Sequence, residues 1–131
     1  MISHVTIGVK DFTNALKFYS EIMSNLGFKQ RFCDYQRPWA GWQSNENARP
    51  LFIITVPVNG DLQSAGNGQM IALLAKDPAM VDSTYKIAVR NGGQCAGKPG
   101  LRPEYHEGYY GAYFKDLDSN KICIVNHNAC A

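Results

Sequence analysis

Apolar and polar residues alternate from the start of the chain. Val5, Ile7 and Val9 interleave with His4, Thr6 and Gly8, and a period of two sends the two sets to opposite faces of a strand. The period then changes. Ala15, Leu16, Tyr19, Ile22, Met23 and Leu26 recur at helical spacing, which is one apolar face of a helix. Asp11 precedes this run as an N-cap acceptor, and Gly27 follows it where a left-handed residue ends a helix. The same order returns after a shift of 66 residues. Ile71, Leu73 and Ala75 alternate with Met70, Ala72 and Leu74. Asp77 is the next N-cap, and Pro78 takes the first helical position, where its missing N–H costs nothing. Val81, Tyr85 and Ala88 mark a weaker helical face that Gly92 and Gly93 close.

Aligned without a gap, "HVTIGVKDFTNALKFYSEIMSNLGF" and "MIALLAKDPAMVDSTYKIAVRNGGQ" share Lys10/Lys76, Asp11/Asp77, Tyr19/Tyr85, Asn25/Asn91 and Gly27/Gly93. The shared order of strand, cap and helix makes this a repeat rather than chance identity. Strands are predicted at about 28–35, 38–44 and 51–57, and again at about 94–96, 109–115 and 121–126. Arg37-Pro38, Arg49-Pro50 and "KDLDSNK" separate them as turns. The expected class is α+β, a single domain over residues 1–131 made of two βαβββ modules. Module 1 covers about 1–57, a Gly/Asn/Ser-rich linker about 58–68, and module 2 about 69–128.

Composition narrows the function. Thirteen Lys and Arg against eleven Asp and Glu give a net charge of +2, and the basic residues are scattered, so no nucleic-acid partner is expected. Cys33, Cys95, Cys123 and Cys130 form no C-x-x-C pair. Reduced thiols and a cytoplasmic location are the expectation. "MISHVTIGVKD" does not read as a signal peptide. "LFIITVPV" is far too short to span a bilayer, so no membrane partner is expected.

"ISHVTIGVKDFTNALKFYSEIMSNLGF", "GNGQMIALLAKD" and "YYGAYFKDLDSNKICIV" resemble the opening strand and helix, the second-half opening and the closing hairpin of the glyoxalase / bleomycin-resistance / extradiol dioxygenase (vicinal oxygen chelate) superfamily. "GKPGLRPEYHEGYYGAY" further resembles small bacterial glyoxalase-like proteins. The family's hairpin turn is usually Asp-Pro-Asp-Gly-Asn. The resemblance implies a curved mixed sheet around a cleft with helices outside, and a homodimer. In metal-binding members, two histidines of the opening strands and two glutamates of the final strands hold a divalent ion. That ion stabilises an enediolate or a similar anion.

Carried onto this chain, the pattern finds His4 in the first slot, Met70 where the second His is expected and Cys123 where the last Glu is expected. "PLFIITVP" offers no carboxylate. His4 is thus the only matching ligand, and an ordinary glyoxalase metal site is not expected. No cofactor is expected, a divalent metal in a rearranged site being the alternative. His4 reads as a base or hydrogen-bonding group in the cleft, or as a histidine satisfied by a neighbour. Met70 reads as cleft wall. A soft set of His4, Met70 and Cys123 suited to Cu(I) is the sharper reading. Cys123 is a nucleophile only if a cation lowers its pKa, and otherwise an inert thiol.

The segment "GLRPEYHEGYY" supplies Arg102 as a fork for a carboxylate or phosphate, with His106, Tyr109 and Tyr110 within reach of the cleft or covering the sheet. Glu104, His106 and Glu107 offer an alternative metal set with His4. Trp39 and Trp42 lie three apart, so a regular strand sends at most one of them into the cleft. "DLDSN" is not a calcium loop, because Lys121 and His127 stand where Gly and Glu are required. The catalytic candidates are therefore His4, His106 and Tyr110. The ligand-binding candidates are Met70, Cys123, Arg102, Tyr109 and Trp42. The expected function is binding or transformation of a small organic molecule without the standard metal. The alternatives are a metal-dependent lyase, isomerase or dioxygenase built around His4, and a non-catalytic structural or partner-binding module.

Overall fold

The computed structural model describes residues 1–44 and 46–129, so Cys130 lies outside the described residues. The elements follow as β1 (His4–Gly8), α1 (Phe12–Leu26), β2 (Lys29–Asp34), β3 (Trp39–Gln43), β4 (Leu51–Thr55), β5 (Ile71–Leu74), α2 (Pro78–Arg90), β6 (Gln94–Leu101), β7 (Tyr110–Lys115) and β8 (Lys121–Asn126). They form two compact units, Met1–Ala65 and Gly66–Ala131. Each is a βαβββ module with its own open four-stranded mixed sheet, ordered β1-β4-β3-β2 in the first and β5-β8-β7-β6 in the second. In both, the opening strand runs parallel to the last strand and the other pairings are antiparallel. The fold is α+β, as the periodicity predicts.

The two helices are started and stopped by the same devices. Asp11 accepts from the Asn14 N–H at 3.1 Å, and Asp77 from the Met80 N–H at 2.8 Å. Gly27 (φ +78°) ends α1 while the Phe28 N–H reaches back to Met23 O at 2.8 Å. Gly92 (φ +101°) does the same for α2, with the Gly93 N–H on Ala88 O at 2.8 Å. A glycine in this conformation satisfies carbonyls that a helix end leaves open.

In the first unit the whole predicted face of α1 is buried, with Phe12 and Phe18 added. The Tyr19 ring lies 5.2 Å from Phe52 and 6.5 Å from Trp42 between centroids. Burying one such side chain contributes about 1.5–3 kcal/mol. In the second unit α2 buries Val81, Thr84 and Ala88, whereas Tyr85 was expected on that face. Tyr85 is half-buried, with its hydroxyl close enough to the Cys95 thiol to act on its titration, because a phenol with one wet end settles at the margin of a core.

β6 runs to Leu101 rather than ending near residue 96. Gly97, Pro99 and Gly100 read as breakers, but β6 is an edge strand and carries two register shifts, which is where a sheet tolerates such residues. The turn after β7 is built on buried Asp116. Its carboxylate accepts from the N–H groups of Asp118 and Asn120, each at 2.9 Å, and from Asn120 Nδ2 at 3.0 Å. Among the described residues no helix is long and apolar enough to cross a membrane.

Candidate functional site

The ladders place the expected ligand slots residue by residue. In the first unit His4 pairs with Leu51 and Thr6 with Ile53. In the second, Ala72 pairs with Cys123, so Cys123 and Ile53 occupy the same rung of the two modules. His4 is exposed and its Nδ1 is 2.9 Å from Ser3 Oγ. β4 is buried throughout and carries no titratable residue. Met70 stands just before β5 and is exposed. Trp42 is buried on the α1 side, against Tyr19, because its rung is shared with Phe52. Trp39, on the other face, packs on Phe32 at 4.6 Å and carries the Arg37 guanidinium at 3.6 Å.

In the second unit the sheet face turned away from α2 holds two rows. Register aligns Gly97, Tyr113, Cys123 and Ala72 in one row, and Gly100, Gly111, Val125 and Leu74 in the next. The small residues make room for large groups. A Cβ on Gly97 would come within 2.9 Å of Tyr113, one on Gly100 within 3.0 Å of Arg102 Nη1, and one on Gly111 within 2.8 Å of the Tyr109 ring. Into this space fall Arg102, Tyr109 and Tyr113. The Tyr109 hydroxyl lies 2.8 Å from the Tyr113 hydroxyl and 3.5 Å from Cys123 Sγ. The Arg102 guanidinium carbon is 5.6 Å from the Tyr113 ring centroid, and Lys121 Nζ is 5.5 Å from it.

A second cluster borders Tyr109. The Gly108 N–H donates to His106 Nδ1 at 3.1 Å, and His106 Nε2 lies 2.9 Å from His127 Nδ1. Since Nδ1 of His106 is an acceptor, its Nε2 carries the proton and donates to His127, which leaves Nε2–H of His127 as the outward donor. The two imidazoles stack at 23°, and Tyr109 meets each ring nearly edge-on. Tyr110 goes elsewhere. Strand alternation turns it toward α2, where its hydroxyl donates to Asp82 at 2.7 Å.

Burial dominates the titration of the first cluster. It pushes the Tyr109 phenol far above the ordinary value, with hydrogen bonds to Tyr113 and Cys123 adding to the effect. Burial also raises Tyr113 and the Cys123 thiol, the latter against opposing contributions from Tyr109, Tyr113, Arg102 and Lys121. All three groups are therefore protonated at neutral pH, and Cys123 is a hydrogen-bonding thiol rather than a thiolate. Cys95 is the contrast. The Tyr85 hydroxyl first, then the Gly97 backbone and Lys98, lower its pKa, and it is exposed.

The model of the Glyoxalase/Bleomycin resistance protein/Dioxygenase superfamily matches residues 1–124. The chain belongs to this superfamily. A glyoxalase/bleomycin resistance protein from Albidiferax ferrireducens is 32% identical, with a TM-score of 0.84 over 95% of this chain and 98% of that one. A hypothetical protein from S. aureus is 24% identical, with a TM-score of 0.68 over 99% of this chain and 93% of that one. A glyoxalase/bleomycin resistance protein/dioxygenase family enzyme from Burkholderia phytofirmans is 17% identical, with a TM-score of 0.69 over 95% and 97%. These last two similarities concern the fold alone. Among curated proteins none matches this chain.

For this glyoxalase-superfamily chain, the structure brings Arg102, Tyr109 and Cys123 together on one sheet face, with His106 beside Tyr109. It sends Tyr110 and Trp42 to the helix faces of their sheets. Among the described residues no three of His, Cys, Asp and Glu come together as a set able to hold a metal ion. Sequence reasoning missed Tyr113, Lys121, His127 and the three glycines. Tyr109, Gly111 and Tyr113 alternate with period two, which was a readable signal for a shared face. The His106–His127 pair spans 21 residues and has no periodic signature.

Proposed function

We propose that this superfamily member binds or transforms a small organic molecule without a metal ion held by the usual His/Glu set. One observation carries the reading. The last-strand rung of module 2, where a glutamate is expected, holds Cys123 hydrogen-bonded to Tyr109, and the equivalent rung of module 1 holds Ile53. A buried thiol beside two protonated phenols offers a hard divalent ion no carboxylate oxygen. It does offer an organic ligand an apolar floor with a few hydrogen-bonding groups, the usual constitution of a small-molecule site. Tyr109 and Arg102 border that floor, and Met70 and Leu74 leave exposed apolar surface in the same unit. His4 and His106 remain the candidate acid–base groups of their respective units.

The test begins with elemental analysis of tag-free protein purified without chelator, then offered Zn, Mn, Fe(II), Ni and Cu(I) separately. A small-molecule thermal-shift screen follows on the same preparation. The expected result is no stoichiometric ion and concentration-dependent stabilisation by organic ligands. Stoichiometric binding of a hard or borderline ion, lost in His4→Ala, overturns the reading.

A further inference from the structure

Two cations lie against the Tyr113 ring, Arg102 from the β6 side at 5.6 Å and Lys121 from the β8 side at 5.5 Å from its centroid. Arg102 donates through Nη2 to Lys98 O at 2.6 Å and through Nη1 to Leu101 O at 3.4 Å, and its guanidinium lies beside the Tyr113 ring. Lys121 lies against that same ring and acts electrostatically on the Cys123 thiol.

The guanidinium is also fixed in place. Two of its five N–H donors are tied to backbone carbonyls of the preceding strand, β6, and Gly97 and Gly100 add no side chain beneath it. A fork held this way has little freedom left to lose when it meets a planar anion, which suits it to carboxylate rather than to a diffuse charge. The half-buried Tyr109 ring, lying over Gly111 with its hydroxyl on Tyr113, supplies a flat apolar wall next to the two charges.

We propose that this face of the second unit is a carboxylate subsite, with Arg102 gripping the anion of a small planar organic acid whose body lies against Tyr109, and Lys121 adding positive charge from the β8 side. The proposal rests on the small-molecule reading above.

The experiment pairs acids with neutral isosteres: benzoate with benzamide, cinnamate with cinnamamide, and 4-hydroxybenzoate with its amide. Thermal shift and calorimetry are run on wild type, R102Q, R102K and K121Q, with the melting temperature and circular dichroism of each unliganded variant as the folding control. The acids are expected to bind at least tenfold tighter than the amides. R102Q should weaken acid binding by about tenfold, the scale of one charge-assisted hydrogen bond, and K121Q by about two- to threefold, neither changing amide binding. R102K should recover only part of the loss, since it keeps the charge without the fork. If acids and amides bind alike, or if the variants leave acid binding unchanged, the carboxylate subsite is overturned while the small-molecule reading stands. If phenyl phosphate binds more tightly than every acid through the same two residues, the carboxylate assignment is overturned in favour of phosphate. If no probe of either kind binds, both proposals fail.

Discussion

Replacing Gly108 by alanine tests whether the loop that follows Arg102 is locked to the end of the chain. Gly108 is buried between β6 and β7, and its φ is not in the left-handed region, so alanine carries no dihedral penalty there. The penalty is contact. An added Cβ would sit 2.5 Å from the His127 carbonyl oxygen, against the 3.4 Å or more of ordinary contact. That oxygen belongs to the backbone and cannot swing aside. The two segments must separate, and separation stretches the Ala129 N–H bond to Gly108 O (3.0 Å) and the His106–His127 bond (2.9 Å). Overpacking costs about 1–3 kcal/mol and each hydrogen bond about 1 kcal/mol. Because relaxation trades one loss for the other, the expected total is about 2–3 kcal/mol. For a chain of this size that lowers the melting temperature by about 8–12 °C. The assay is thermal unfolding by circular dichroism, together with amide exchange at Ala129 as a local reporter that does not depend on two-state behaviour. Gly60→Ala is the control, since a Cβ there meets nothing within 4 Å and suffers only from its φ of +77°. A Gly108→Ala protein that melts within about 1 °C of wild type, with Ala129 exchange unchanged, refutes the reasoning.

Ser119 holds a φ of +67° in the hairpin turn where the family's pattern has glycine, so Ser119→Gly should raise stability by about 0.5–1 kcal/mol, read by urea unfolding; a loss of stability would show that the turn needs the serine. Cys95 should be the first described thiol alkylated by iodoacetamide at pH 7–8 and should slow in Tyr85→Phe, because its pKa is lowered chiefly by that hydroxyl and the thiolate fraction at a given pH rises accordingly. Cys123, raised by burial, should react only after unfolding, and peptide mapping that finds it modified first would contradict the buried, protonated thiol. Tyr109→Phe should cost about 1 kcal/mol, since it removes the hydroxyl shared by Tyr113 and Cys123 while leaving the ring over Gly111; no change in unfolding midpoint would show that the pair contributes nothing net.

Much of the fold was legible in order along the chain. Asp11 and Asp77 act as caps, Gly27 and Gly92 as stops, and the face of α1 is the one its spacing predicts. These are local matters, decided by residues within a turn or two of one another. The extension of β6 through Pro99 was not legible, because tolerance of a missing N–H depends on lying at a sheet edge, and sheet order is not local. The site divides in the same way. "GLRPEYHEGYY" marked Arg102, His106 and Tyr109 by their chemistry. That Tyr109 turns toward Cys123 while Tyr110 turns toward Asp82 required knowing where β7 begins and which face α2 covers.

The sequence by itself determined the repeated strand–helix–strand order, the capped helix ends and the presence of Met70, Cys123 and an apolar β4 at the places where the family resemblance leads one to expect a histidine and two glutamates. Hydrophobic period, capping chemistry and residue identity are all carried by short stretches of chain. Only the tertiary structure decided that Gly97, Tyr113, Cys123 and Ala72 share one row, that His106 meets His127, and that Arg102 and Lys121 each lie against the Tyr113 ring. Those contacts arise from strand register, where a shift of one residue would turn every side chain to the opposite face, and register is set by the packing of the whole sheet rather than by any segment alone.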